Sequence, residues 1–88
     1  MLLQSRDGLG IARMSPEAVV ASSFGKNIAA ITDATSPETL PEWDSLGHVT
    51  LVIELESIYG VSFAAEETMA LTSVAAIKGA LRSHGVTW

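Results

Sequence analysis

Asp44-Ser45 and His48 are the residues of this 88-residue chain whose types and spacing could do chemistry. Ser45 stands directly ahead of an apolar run, where coil should pass into helix. There the orphan backbone N–H groups and the positive end of the helix dipole favour a phosphate. Ser45 and His48 lie three apart and could approach one another on a helix. A hydrolytic serine needs more than a nearby imidazole, however, and the chain has no Gly-x-Ser-x-Gly elbow and no group that plainly orients His48. The serine therefore reads as a place to attach something, and the chain is not expected to be an enzyme. The plainer reading is a helix cap, and both hold if Asp44 caps while Ser45 presents its hydroxyl.

Other chemistries find little support. His48 otherwise reads as a surface helix residue, and His84, near the end of the last helix, as a favourable charge for its dipole. Two distant histidines and scattered carboxylates match no metal-ligand spacing. With no cysteine there is no disulfide framework and no protein thiol, so any thiol chemistry has to be imported.

Ten acids against five Lys/Arg give a net charge of −5. Eight of the acids (Asp33, Glu38, Glu42, Asp44, Glu54, Glu56, Glu66 and Glu67) fall in one stretch without a single Lys or Arg. Such a surface repels nucleic acid and anionic lipid and attracts basic protein patches, although it also serves simply to keep a small protein in solution. The 48% hydrophobic and 17% charged fractions are those of a folded chain. One domain of this size leaves little room for a buried active site, and a monomer is expected. No apolar run reaches the roughly 18 residues of a membrane span. Residues 1–14 show no sustained period and no secretory-signal pattern, which predicts a flexible tail and a cytoplasmic protein; Met14 is an alternative start.

The elements that must position Ser45 are helical. Ser15-Pro16-Glu17 is a helix start, and Val19, Val20 and Phe24 continue to a stop at Gly25 or fray on through Ile28 and Ile31. Residues 32–42, with two prolines and several capping side chains, form a long ordered loop pegged into the core by Ile31 and Leu40. A second helix runs from Asp44 or Ser45 to about Tyr59 and stops at Gly60. Ala64 to Met69 make one or two turns. Thr72-Ser73 caps a last helix whose inward face is Val74, Ile77 and Leu81, with Gly85 at its end. The fold class is all-α, a small bundle of three main helices and one short one, with the domain spanning 15–85 and a tail at 86–88.

On a wheel of 100° per residue from Ser45, Leu51, Val52, Leu55, Ile58 and Tyr59 span about 220° to 340°, one broad inward face. Gly47, Thr50, Glu54 and Ser57 form a solvated face. Leu46, Val49 and Ile53 make a second apolar patch at about 40° to 100°, beside Ser45, with Glu56 on its edge. A helix in a domain this small cannot readily bury two apolar sectors, so the patch reads as a docking surface. The alternative is that Leu46 and Val49 tuck under the loop.

Trp43-Asp44-Ser45-Leu46-Gly47-His48-Val49, the following Leu51-Val52-Ile53-Glu54-Leu55-Glu56, the Tyr59-Gly60-Val61 turn and Thr72-Ser73-Val74 together resemble the acyl carrier protein family. The likeness runs from about Pro16 to Leu81. It implies that Ser45 is esterified with 4′-phosphopantetheine from coenzyme A by a phosphopantetheinyl transferase, which Asp44 helps to engage. The arm's thiol would then hold acyl or aminoacyl groups as thioesters. Leu46, Val49, Ile53 and Glu56 would meet the acyl-loading and acyl-transferring enzymes, through basic patches on those partners. Gly47 and Thr50 stand where many fatty-acid carriers have acids, and Trp43 is commoner in specialised, stand-alone carriers, which implies a dedicated pathway. The rival expectation is a helical interaction module with Ser45 unmodified.

Overall fold

The computed structural model describes residues 14–88. The expected tail therefore lies outside the described residues apart from Met14. The elements are α1 (Pro16–Phe24), a 3-10 turn (Ile28–Ala30), α2 (Ser45–Tyr59), α3 (Ala65–Ala70) and α4 (Val74–Ser83). No strand occurs among the described residues, and the all-α bundle is as expected.

Each main helix starts and stops on the local signals. The Ser15 hydroxyl oxygen accepts from the Ala18 N–H at 3.2 Å, Asp44 Oδ1 from Gly47 at 2.8 Å and Ser73 Oγ from Ala76 at 3.0 Å. Gly25 and Gly60 close α1 and α2 in the left-handed conformation, with φ of 65° and 68°, which glycine adopts without steric cost. Gly25 ends α1 outright, and Ile28 belongs to the separate turn rather than to a fraying helix.

Val19 and Val20 of α1, Leu51, Leu55 and Tyr59 of α2, and Val74, Ile77 and Leu81 of α4 meet in one core. The loop contributes Ile31, Leu40 and Trp43, all buried. Two placements beyond the first turn of α2 differ from the wheel. Ile58 is 38% exposed and borders a groove shared with Met14 and with Val19 and Ser22 of α1, because it lies at the edge of the inward arc. Glu54 is drawn off the solvated face by α1, where the Ser23 hydroxyl donates to its carboxylate. The segment expected to trail after Gly85 begins in the core: Val86 is buried, and its N–H donates to the Leu81 carbonyl at 2.9 Å.

The loop is held by its own turns and by α4. Thr32 and Thr35 bond one another, as do Ser36 and Thr39, so the capping side chains give the loop its own turns. It is then fastened to α4. The first N–H groups of that helix have no intrahelical partner, and those of Val74 and Ala75 donate to the carbonyls of Thr35 and Asp33, both at 3.0 Å. Lys78 adds a charged clamp, its ammonium lying 2.5 Å from Glu17 and 2.6 Å from Asp33. The bond to Lys78 holds the Glu17 carboxyl below its usual range, and Asp33, followed by Glu17, holds the Lys78 ammonium above its own.

The sign of the pH effect follows from these directions. Glu17, depressed in the folded state, contributes stability that is present above its ordinary value of 4.5 and is lost as pH falls through the folded one. Lys78, raised, contributes below 10.5 and loses its contribution as pH rises through the folded value. Urea midpoints should therefore drop as pH falls from about 5 towards 2, and Lys78→Met should flatten that drop. In the core, Leu55→Ala should cost about 2 to 5 kcal/mol by chemical denaturation; an unchanged midpoint would contradict its placement.

Candidate functional site

The first turn of α2 is fixed from below by a close approach of backbone. A Cβ built on Gly47 would lie 2.3 Å from the Glu42 carbonyl oxygen and 2.8 Å from the Phe24 ring. Gly47 is thus not part of the solvated face: it lets α2 settle against the loop and the end of α1. Phe24 in turn packs on Trp43, ring centroids 5.9 Å apart, and Trp43 is buried with 2% exposure.

With the helix so seated, Asp44 caps it and Ser45 becomes its first residue, exposed to solvent. No hydrogen bond holds the Ser45 side chain among the described residues. Of the first-turn donors, Gly47 is bonded to the Asp44 side chain and His48 to the Asp44 carbonyl. The N–H groups of Ser45 and Leu46 have no intrahelical acceptor. A free hydroxyl beside two such donors, at the positive end of a 15-residue helix, suits a phosphate ester.

Leu46, Val49 and Ile53 project outward, 76%, 54% and 61% exposed. Leu46 and Val49 do not tuck under the loop, which is occupied by its own pegs and by Trp43. Met69 of α3, 77% exposed, is a further outward apolar side chain. Met69 also lines a cleft of about 540 Å³ that reaches Ser45, with Pro37, Trp43, His48, Leu71 and Thr72 among its walls. Glu56 stands apart from this group. It is half-buried, and its Oε2 accepts from the Phe63 N–H at 2.8 Å, which ties the segment after α2 back to the helix. Three turns from Ser45, its carboxylate shapes the α2–α3 connection.

Sequence reasoning missed the role of His48. Its ring is half-buried and bonded on both sides: Trp43 Nε1–H donates to Nδ1 at 2.9 Å, and Nε2 lies 2.8 Å from the Thr68 carbonyl. A buried tryptophan needs an acceptor for its indole N–H, and that rule applied to Trp43 points to the imidazole five residues on. This geometry also removes His48 as a base for Ser45, since both ring nitrogens are engaged elsewhere. His84 likewise does more than face a helix dipole. It is bonded to Glu67 of α3 at 2.8 Å and sits edge-on to Phe63.

The acidic stretch is less free than its composition implies. Asp33 pairs with Lys78 and Glu42 with Lys26; Glu38 meets Ser36, Glu54 meets Ser23, and Asp44 and Glu56 accept backbone N–H groups. Glu67 accepts from the Ala64 N–H as well as from His84, and these bonds, in that order, hold its carboxyl below the usual range. Glu66 alone of the eight has no partner among the described residues. Among the described residues no cluster of three or more side chains could hold a metal ion, and no helix is long and apolar enough to cross a membrane.

Gly47→Ala should destabilise the protein by about 1 to 3 kcal/mol in urea denaturation, because α2 or the loop must shift to admit the methyl group. Thr50→Ala, on the open side of the helix, should change little. No protein-family model matches the chain, and no curated protein matches it.

Proposed function

We propose that this protein is an acyl carrier, bearing 4′-phosphopantetheine on Ser45 and delivering acyl or aminoacyl groups to partner enzymes of a dedicated pathway. The observation that carries the reading is the exposed Ser45 hydroxyl at the amino end of α2, which makes no hydrogen bond among the described residues and lies next to orphan N–H donors. The prosthetic arm supplies a terminal thiol, on which an acyl group is held as a thioester. The chain's own residues do the rest: Asp44 fixes the helix end that presents the serine, and the cleft lined by Trp43 and Met69 offers an apolar resting place beside it. Leu46, Val49 and Ile53 form the surface on which loading and transferring enzymes dock. Recruitment rests more on this apolar patch than on charge, since most neighbouring carboxylates already have partners within the chain. Such a carrier works in the cytoplasm as a monomer, with neither nucleic acid nor membrane as its partner.

Incubation with coenzyme A and a promiscuous phosphopantetheinyl transferase, followed by intact-mass measurement, tests this. The wild type should gain one phosphopantetheine and Ser45→Ala none. No gain on either points instead to an unmodified interaction module. Ile53→Glu should keep the helical circular dichroism signal and the loading site while weakening transfer by partner enzymes; an unfolded variant would place Ile53 in the core.

A further inference from the structure

The bonding of His48 admits only one protonation state. Indole N–H is a donor and nothing else, so Nδ1 must offer a lone pair to Trp43. The Thr68 carbonyl is an acceptor and nothing else, so Nε2 must carry the hydrogen. The two rings lie within 16° of coplanar with centroids 6.3 Å apart, the side-by-side arrangement of an in-plane N–H···N bond rather than a face-to-face stack. The imidazole thereby joins three pieces of chain: the end of the loop at Trp43, the first turns of α2, and the last turn of α3.

We propose that His48 is the positioning residue of the Ser45 cleft, a neutral clasp that holds α3 against the loop end and that proton uptake at Nδ1 opens. A proton on Nδ1 sets two N–H groups against each other, and the buried Trp43 indole loses its acceptor. Trp43, His48 and Met69 all line the cleft, so its shape depends on this bond. The element being held is the one least able to hold itself: α3 has six residues, too few to be stable by propensity alone.

The charged groups on the elements around His48 do not replace the lost bond. On the loop side Asp44 is occupied by the Gly47 N–H and Glu42 by Lys26. On α3 Glu67 is held by Ala64 and by His84, and Glu66 is exposed. His84 gives α3 a second histidine tie with the opposite response, because protonation there strengthens its pairing with the Glu67 carboxylate. Acid therefore parts the loop end at Trp43 from the imidazole, while Nε2–H keeps its bond to the Thr68 carbonyl and His84 keeps its bond to Glu67, so α3 stays on α2 and only its link to the loop opens.

The relevance of the cleft rests on the carrier reading of Ser45, but the clasp can be tested on the unmodified full chain. Nitrogen-15 NMR across a pH series should show hydrogen on Nε2 and a lone pair on Nδ1 of His48 at neutral pH. On acidification the Trp43 indole N–H, identified in a Trp88→Phe background, should shift in the same step as His48, together with the amides of Met69 and Leu71. His48→Gln, which cannot titrate, should abolish that step. Hydrogen on Nδ1 at neutral pH, an indole signal indifferent to His48 protonation, or a step that survives in His48→Gln would each overturn the proposal. If the wild type accepts no phosphopantetheine, the carrier reading falls, and the NMR step still decides the clasp.

Discussion

Two backbone hydrogen bonds, from the α4 amides of Val74 and Ala75 to the loop carbonyls of Thr35 and Asp33, govern where everything else in this domain can lie. They satisfy donors that any buried helix start must satisfy, and in doing so they turn a flexible span into a fixed one. Ile31 and Leu40 then enter the core from a loop that cannot drift, and Trp43 follows within three residues of Leu40. Trp43 and the close approach at Gly47 set the height of α2, and with it the exposure of Ser45. A surface hydroxyl is thus placed by contacts that run through the middle of the molecule.

Local signals were legible in the sequence, and tertiary ones were not. Ser15, Asp44 and Ser73 announced their helices because a cap bonds an amide two or three residues away, within the same short segment. The outward set Leu46, Val49 and Ile53 was legible for a related reason: a rotation of 100° per residue is a property of α2 alone. Ile58 lay on the margin of the inward arc, and no wheel says how far α1 extends over it. The docking of the loop on α4 joins residues some forty positions apart through main-chain atoms, which no side-chain pattern records. Gly47 left a trace that was available. Glycine inside a helix costs about 1 kcal/mol relative to alanine, so its presence there is itself a sign of close backbone approach.

Charge was the feature most easily over-read. A stretch of eight acids without a Lys or Arg looks like a bare negative field. In the fold Lys26 and Lys78, from outside that stretch, come to meet Glu42 and Asp33, while other carboxylates serve as caps and staples. The net sign of the surface is retained, but much of its acidity is structural. The solvent-facing side chains beside Ser45 on α2 are hydrocarbon, at Leu46 and Val49.

The contact beneath Gly47 also limits how this surface can change over generations of mutation. Any replacement at that position thrusts carbon into the Glu42 carbonyl and the Phe24 ring, so a new carboxylate cannot be acquired there without dislodging the helix. Thr50, one turn further and open to water, carries no such bar. The electrostatic character of the helix that presents Ser45 is consequently adjustable on one side and frozen on the other, and divergence among descendants of this chain should be recorded at position 50 while 47 stays silent.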